Sequence, residues 1–325
     1  KPPRGGGFFF WAGPRQNPRK PGFPRHILAS SPASMTLSIA TWNINSVRLR
    51  IRQVGMFLDR FRPDILCLQE TKCPDDRFPF KAFRKRGYEH ILVNGQKGYH
   101  GVAIVSRVPF LATDKRGLCD KGDARHCAVT IEDGADDIVL HNFYVPAGGD
   151  EPDPAINPKF AHKLAFLAEM KDWLRDAETN RKAILVGDLN IAPYENDVWS
   201  HRQLLRVVSH TPVETEGLEA FRISGGWVDA VRHHFPPEAR LFTWWSYRAL
   251  DWAAVDRGRR LDHVWVTPHL AGRLAGAEIV RAARGWKQPS DHVPVIVRLG
   301  PDLAEGALTA TVPTGLAGLA APERP

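Results

Sequence analysis

The sequence contains few cysteines and no long apolar segment. Its 325 residues include four cysteines without a Cys-x-x-Cys spacing. Their even number could indicate disulfides, but a chain of this length needs none to fold, and we expect reduced thiols. No apolar run approaches the roughly 20 residues that cross a bilayer, so we expect no membrane span. Neither a G-x-S-x-G elbow nor a P-loop occurs, which leaves a covalent nucleophile mechanism unsupported.

The formal net charge of +8 overstates how basic the folded part is. Residues 1–34 contain six basic residues and no acids, and the segment after residue 300 has a net charge of −2, which leaves +4 for the middle. Such a charge is compatible with a DNA partner without requiring one. The composition, 43% hydrophobic and 25% charged, is typical of a globular protein with a sizeable core.

Both ends of the chain lack helical or strand periodicity. Residues 1–34 are rich in Pro, Gly and Arg, and Met35 stands directly before the first strand-like run. We expect a disordered or artefactual extension over residues 1–34, one domain over 35–300 and a disordered tail over 301–325.

The middle of the chain alternates short apolar runs with amphipathic stripes. Two stripes have helical spacing, and they consist of Val47, Ile51, Val54 and Leu58, and of Phe160, Leu164, Leu167 and Leu174. Seven runs predict strands, and these are Leu37–Trp42, Ile65–Leu68, Gly101–Ser106, Asp137–Tyr144, Ala183–Val186, Leu261–Val266 and Val293–Arg298. Short strands with interspersed helices favour an α/β fold of layered sheets flanked by helices.

Several of these runs lie next to carboxylate, amide or histidine side chains. The segments concerned are Trp42–Asn45, Leu68–Glu70, Val186–Asn190, Leu261–His263 and Ser290–His292. Strand ends of packed sheets converge on one edge, where a rigid backbone can hold several ligands. Hard oxygen ligands suit Mg²⁺ or Mn²⁺, whereas zinc prefers Cys and His. Phosphodiester hydrolysis needs charge neutralisation at phosphorus, an activated water and a stabilised leaving oxygen, which such side chains can supply.

Each segment alone also has a structural explanation. Glu70 could be a solvated strand boundary, and Asp188 and Asn190 could belong to a tight turn after a glycine. Asp291 could cap a helix or form a surface pair with His292. Their joint occurrence in this order is what favours a catalytic site.

Longer strings carry a resemblance to a known family. They are QETK at 69–72, GQKGYHGVAI at 95–104, YVP at 144–146, GDLNIAP at 187–193, FTWW at 242–245 and PSDHVPV at 289–295. In this order they resemble the exonuclease III family of class II abasic-site endonucleases, within the DNase I-like endonuclease/exonuclease/phosphatase superfamily. The resemblance covers about residues 37–298 and implies a four-layer α/β sandwich, with two packed, mostly antiparallel sheets between helices.

The resemblance also implies a role for each residue. Glu70 would be the principal Mg²⁺ ligand, with Mn²⁺ as an alternative ion, beside Asn43 and with Asp291 completing the site. Asp188 would handle the proton of the attacking water or of the leaving oxygen, and Asn190 would donate to a phosphate oxygen. The expected metal-site residues are Asn43, Glu70, Asp188, Asn190, Asp291 and His292. The expected catalytic residues are Tyr144, Asp188, Asn190, Asp262 and His292.

Within that set, Asp262 would orient His292 against the scissile phosphate. The expected substrate contacts are Asn45, Lys97, Trp244 and Leu261. In the family, an apolar pocket receives a flipped, baseless deoxyribose. Here Arg259 stands at a pocket position that is usually apolar, unless the alignment shifts within residues 256–262. Five basic residues are expected to follow the DNA backbone, and these are Arg48, Arg50, Lys97, Arg284 and Lys287.

The implied function is Mg²⁺-dependent hydrolysis of DNA phosphodiesters 5′ to abasic sites, with 3′→5′ exonuclease and 3′-phosphatase activity. The expected partner is double-stranded DNA with abasic sites or 3′ ends, bound by a monomer in a bacterial cytoplasm. Two alternatives stay open. One is the same fold acting on RNA or phosphoinositides, and the other is a non-catalytic nucleic-acid-binding module.

Overall fold

The computed structural model describes residues 36–178, 180–249 and 251–301. Its strands are β1 (Leu37–Asn43), β2 (Ile65–Gln69), β3 (His90–Asn94), β4 (Val102–Ser106), β5 (Ala112–Asp114), β6 (His126–Asp133), β7 (Asp136–Tyr144), β8 (Lys182–Asp188), β9 (Val228–Asp229), β10 (Trp244–Trp245), β11 (Gly258–Arg259), β12 (Asp262–Val266), β13 (Leu274–Ile279) and β14 (Val295–Leu299). Its helices are α1 (Ile51–Phe61), α2 (Phe80–Arg84), α3 (Pro158–Glu178), α4 (His201–Leu204), α5 (Pro212–Ser224), α6 (Ala230–His234), α7 (Trp252–Val255) and α8 (Pro268–Ala271). The expectations for residues 1–34 and for most of the tail lie outside the described residues.

The strands form two six-stranded sheets and a short ribbon. The first sheet has the order β13-β14-β1-β2-β4-β3, the second β5-β6-β7-β8-β12-β9, and β10 pairs with β11. One pair in each sheet is parallel, β1 with β2 and β7 with β8, and the other described pairs are antiparallel. The sheets are therefore mixed, and each parallel pair is joined by one long helix, as a parallel connection requires.

Three apolar clusters separate four layers. Alternate residues of both sheets, among them Ile39 and Val186, meet in the cluster between the sheets. The opposite face of the first sheet packs on α1 and α2 through residues such as Leu66. The opposite face of the second sheet packs on α3 and α5 around Leu185. The expected four-layer α/β sandwich is confirmed.

Each predicted strand is present, with its bounds shifted by up to two residues. Seven further strands were not predicted, and these are β3, β5, β6, β9, β10, β11 and β13. Most are only two or three residues long or carry polar, half-exposed residues, as β13 does along its whole length. Such strands lack the apolar run or strict alternation on which sequence-based recognition depends.

The two predicted helices exist, but their buried stripes differ in detail. Helix α1 begins at Ile51, so Val47 lies in the preceding turn, where it is nevertheless buried. On α3, Leu164 is only half-buried, whereas Lys163 is fully buried. A charged residue therefore takes the inward position that the apolar spacing assigned to its neighbour.

The four cysteines are free thiols, as expected. No helix within the described ranges has the length and apolar character needed to span a bilayer.

Candidate active site

Strand direction brings the predicted polar residues to one edge of the two sheets. Asn43 ends β1 opposite Gln69 of the parallel β2, and Tyr144 ends β7 opposite Asp188 of the parallel β8. Because β12 runs antiparallel to β8, its first residue, Asp262, pairs with Asp188. Parallel strands that end and antiparallel strands that begin at the same edge therefore converge there.

The backbone at this edge adopts conformations that few residues tolerate. Asn45, Glu70 and Asn190 have positive φ angles of 45°, 49° and 54°. Left-handed backbone is uncommon outside glycine, although asparagine tolerates it, and its cost is of order 1 kcal/mol or more per residue. Gly187 has a φ of 140°, and a Cβ there would lie 1.9 Å from the carbonyl oxygen of Phe143. Only glycine lets β8 approach β7 so closely just before Asp188.

The buried amide of Asn43 joins two carboxylates across the sheets. Its Nδ2 donates to Oε1 of Glu70 at 2.9 Å and to Oδ2 of Asp188 at 2.8 Å. The Tyr144 hydroxyl donates to the same Glu70 oxygen at 2.8 Å. Residues from both sheets thus meet at Glu70.

A second chain of contacts links Glu70 to Asp291. The Lys72 ammonium lies 2.8 Å from Oε2 of Glu70 and donates to Oδ1 of Asn45 at 2.7 Å. Nδ2 of Asn45 donates to Oδ1 of Asp291 at 3.1 Å, and the Trp244 indole donates to the other Asp291 oxygen at 2.9 Å. Glu70 and Asp291 therefore belong to one network.

Asp188 and Asn190 form a compact turn at the end of β8. The Asn190 backbone N–H donates to Oδ1 of Asp188 at 2.9 Å, as in an Asx turn. Its side-chain amide donates to the Val145 carbonyl at 2.9 Å and to Oδ2 of Asp188 at 3.2 Å. The turn interpretation and the functional one are thus compatible, because the turn fixes both polar side chains at the shared edge.

His292 lies between two buried carboxylates. Its Nδ1 is 2.8 Å from Oδ2 of Asp262, and its Nε2 is 3.7 Å from Oδ2 of Asp188. Ser290 anchors the segment, since its hydroxyl donates to the Asn43 carbonyl at 2.7 Å and accepts from the His292 backbone N–H at 3.2 Å. The Asp262 contact orients the imidazole so that Nε2 points into the site.

Burial and neighbouring charge shift the proton affinities of this group. Burial raises the pKa of Asp188 to about 7, with His292 opposing the increase and Asp262 adding to it. Burial alone would lower the pKa of His292, but Asp262 and Asp188 raise it to about 10. At neutral pH His292 is an imidazolium, and Asp188 is poised to accept or release a proton.

The other acidic groups remain charged. Burial would raise the pKa of Glu70, but Lys72 and Asn43 outweigh it and the pKa is lowered. Likewise, burial opposes ionisation of Asp291, yet His292 and Asn45 hold its pKa below the usual value. Burial, together with Glu70 and Asp188, raises the pKa of Tyr144 well above its usual value, so its hydroxyl stays a hydrogen-bond donor.

The donor set fits a divalent cation. Within the described ranges, Asp188, Asp262 and His292 bring one ligand atom each within 4.8 Å of one another, a spacing that could hold a metal ion. Glu70 and Asp291 add two ionised, buried carboxylates, and Asn43 and Asn45 add amide oxygens beside them. Such oxygen-rich surroundings are typical of sites for hard cations.

The four expected substrate residues lie in different surroundings. Asn45 and Trp244 contact Asp291 directly. Lys97 is exposed in the loop between β3 and β4. Leu261 is 4% exposed and packs in an apolar cluster beneath Trp244, while Arg259 rather than Leu261 lines the adjoining cavity.

The expectation that five basic residues follow the DNA backbone is wrong for two of them. Arg50 is buried and donates to the Tyr247 hydroxyl at 2.9 Å, and Arg284 is buried and donates to the Trp245 carbonyl at 3.3 Å. Both guanidinium groups brace the loops around the site. Arg48 and Lys287 are exposed, like Lys97.

Three residues of this region were not predicted to matter. Lys72 follows Glu70 in the QETK string, and Ser290 precedes Asp291 in PSDHVPV, so both lay inside recognised motifs. Lys163 is fully buried on α3 and donates to the backbone carbonyl of Asn190 at 2.7 Å. Its position between two apolar turns of a helix gave no signal of that contact.

Comparison with known proteins agrees with this geometry. The Endonuclease/Exonuclease/phosphatase family matches residues 40–292. Exodeoxyribonuclease III of Haemophilus influenzae is 28% identical over 268 residues, which cover 80% of this chain and 98% of that protein.

Two solved structures are similar over nearly their full length. The 3′ phosphatase NExo from Neisseria, bound to product DNA hairpin, is 32% identical with a TM-score of 0.74, and the match covers 81% of this chain and 99% of that one. An AP endonuclease from Archaeoglobus fulgidus is 31% identical with a TM-score of 0.74 over the same shares. The chain therefore belongs to the endonuclease/exonuclease/phosphatase family, among its exonuclease III and AP endonuclease members.

Proposed function

We propose that this protein is a Mg²⁺-dependent DNA-repair phosphodiesterase that incises 5′ to abasic sites, digests from 3′ ends and removes 3′-phosphates. The observation that carries the proposal is the single network joining Glu70, Asn43 and Asp188 to Asp262 and His292. These residues come from both sheets, and a chain folded only to bind DNA would have no need of so many buried, opposed charges.

In the proposed reaction, water attacks phosphorus in line and the bond from phosphorus to the 3′ oxygen breaks. Asp188, whose pKa is about 7, accepts the proton of the attacking water or returns one to the leaving oxygen. His292, held by Asp262 as an imidazolium, neutralises charge on a non-bridging phosphate oxygen. Asn190 and Tyr144 contribute neutral donors to the same phosphate. No covalent enzyme intermediate is involved.

The cation is assigned to the Glu70 side of the site. A protonated His292 cannot serve as a metal ligand, so the group of Asp188, Asp262 and His292 is better suited to proton transfer and phosphate binding. Glu70 and Asp291 are ionised, and the Lys72 ammonium already lies between Glu70 and Asn45. A divalent ion bound there would polarise the phosphate and stabilise the leaving oxygen.

The names of the relatives support the substrate class. Exodeoxyribonuclease III, a 3′ phosphatase bound to DNA and an AP endonuclease match this chain to similar degrees. We extend their shared chemistry, hydrolysis at DNA phosphates, to this protein. We further propose that it acts as a monomer in a reducing bacterial cytoplasm, in line with its four free thiols.

An end-labelled duplex with a single abasic site tests the proposal. We expect a product ending in a 3′-hydroxyl in the presence of Mg²⁺, and none with EDTA. RNA and inositol phosphates, assayed in parallel, cover the alternative substrates of this fold. Faster cleavage of either would contradict the DNA assignment, and binding without cleavage would favour a non-catalytic module. Glu70→Ala should abolish cleavage without abolishing DNA binding.

A further inference from the structure

A cavity of about 430 Å³ opens beside the active-site network. One of its walls is Trp244, whose indole holds Asp291. Another is Arg259, which pairs with Trp244 across the β10–β11 ribbon. Two residues further along the chain from Arg259, Leu261 leads directly into Asp262. Whatever part of a substrate lies next to the reacting phosphate can therefore enter this cavity.

The lining of the cavity is cationic. Arg248, Arg257 and Arg259 all line it, and no carboxylate within the described ranges forms a salt bridge with any of them. Asp150 is the single acidic residue in the lining, and it is exposed. An apolar sugar pocket would not bring three unneutralised guanidinium groups to one wall, because each loses hydration there.

Arg259 is held so that part of its guanidinium stays available. Its Nη1 donates to the Val208 carbonyl at 3.0 Å and to the Ser209 hydroxyl at 2.7 Å. Its Cζ lies 5.2 Å from the centre of the Trp244 ring. Its Nε is buried and has no hydrogen-bond partner in the described structure. A guanidinium stacked in this way keeps its in-plane donors, and it binds carboxylate or phosphate through two of them at once.

The fixed position of Arg259 also answers the question of sequence alignment. Its neighbour Arg260 is fully buried and bonds to Asp197 and Asp229. The two arginines therefore have different environments, and Arg259 is the one that faces the cavity.

We infer that this cavity binds an anionic group attached to the scissile phosphate, on the side that departs with the phosphate, and that Arg259 determines this specificity. The inference rests on the proposed function and names its substrate class, a DNA 3′ end blocked by a phosphate ester that carries a second oxyanion. The neutral sugar of an abasic site would displace water from Arg259 without pairing its donors, which disfavours it.

Two synthetic substrates isolate the charge of that group. One duplex has a 3′ end blocked with a phosphoglycolate ester, which carries a carboxylate. The other carries a hydroxyethyl phosphate ester, which has a similar size but is neutral. In both, water adds to phosphorus, the bond to the 3′ oxygen breaks and that oxygen takes a proton. We expect the parent enzyme to show the higher kcat/KM on the glycolate ester.

Arg259→Met tests the residue itself. We expect the ratio of the two kcat/KM values, glycolate over hydroxyethyl, to fall about 10- to 100-fold, the range for loss of a charge-assisted hydrogen bond. Arg202→Met removes an exposed arginine from α4, outside the lining, and should leave the ratio unchanged. Arg259→Lys keeps the charge but loses the planar fork, and should give an intermediate ratio.

The outcomes separate this inference from the function on which it rests. A parent enzyme that cleaves neither ester, nor the abasic duplex, overturns the proposed function. A parent that cleaves both esters equally overturns the specificity inference alone, and needs no variant to do so. An Arg259→Met enzyme that loses both activities in equal measure shows that Arg259 only tethers residues 208–209, which also overturns it.

Discussion

Replacement of Lys163 by Met is expected to cost both stability and turnover. Lys163 and Glu214 are each fully buried and form an ion pair. The Lys163 ammonium also donates to the Asn190 carbonyl at 2.7 Å and lies 3.4 Å from the Ala147 carbonyl. Methionine has nearly the length of the lysine stem but none of its donors, so Glu214 would keep a buried charge without its cation.

Breaking a buried ion pair in this way costs about 3–5 kcal/mol. For a domain of this size that corresponds to a melting temperature lower by roughly 6–20 °C. Glu214 retains other partners, since its carboxylate accepts the backbone N–H groups of Ser209 and Thr211 at the start of α5. Those contacts offset part of the loss, so we expect a value near 3 kcal/mol.

Turnover should fall because Lys163 holds the residue that shapes the end of β8. Asn190 sits in a left-handed conformation with a φ of 54°, and its side chain donates to Asp188. Without the tie at its carbonyl, Asn190 can relax and displace Asp188. Small displacements of catalytic groups reduce rates by about tenfold or more. We expect kcat to fall about tenfold at a temperature where the variant is folded, with KM little changed.

Calorimetry and steady-state cleavage of an abasic duplex measure the two effects. Lys159→Met, an exposed lysine on the same helix, is the matched control and should change neither. The double variant Lys163→Met/Glu214→Gln removes the stranded charge but keeps an acceptor for Ser209 and Thr211, and should recover about 1–3 kcal/mol. A single variant as stable as the parent, or a double variant less stable than Lys163→Met, would refute the reasoning.

Three further changes have expected outcomes. Glu70→Gln should lower kcat about 1,000-fold, because metal-assisted charge stabilisation is worth several kcal/mol; a Mg²⁺ titration should show a higher requirement, and an unaltered titration would contradict the assignment. Asp262→Asn should lower kcat about 100-fold or more, since His292 loses the carboxylate that orients and charges it; single-turnover rates measure this, and parental rates would count against the pair. Asp133→Asn should destabilise the fold by about 3 kcal/mol at pH 7, because Asp133 pairs with buried Arg273. Burial opposes ionisation of Asp133, but Arg273 and Lys182 lower its pKa below 3.8, so its contribution is present above that pH and is lost as pH falls through the lower, folded-state pKa. Urea titrations at pH 7 and pH 3 should therefore show the difference shrinking in acid, and a constant difference would exclude the ionic explanation.

The active-site residues were predictable because sequence neighbours carry them to the edge in pairs. Asn43, Asp188 and Asp262 each adjoin an apolar run whose alternation fixes the strand and its direction. Lys163 and Arg259 were different. Lys163 occupies one inward position of a 21-residue helix, and its partner Glu214 lies 51 residues away, which local spacing cannot reveal.

Arg259 shows the same limit from the other direction. Its position beside a second arginine in residues 256–262 left open which of the two faces a ligand. The answer depends on Asp197 and Asp229, which bind Arg260 from distant segments. Only the three-dimensional arrangement assigns one arginine to the interior and the other to the cavity.

The same alternation encodes the inter-sheet core and the site. Ile184 and Val186 face the other sheet, and Asp188 is the next residue of β8 on that face. Val266, Val264 and Asp262 repeat the pattern on β12, in register with those three residues. A slip of one residue between β8 and β12 would turn a row of buried aliphatic residues outward and carry one carboxylate to the wrong face. The burial of the core therefore enforces the pairing of Asp188 with Asp262, and through it the position of His292, more strongly than any contact within the site could.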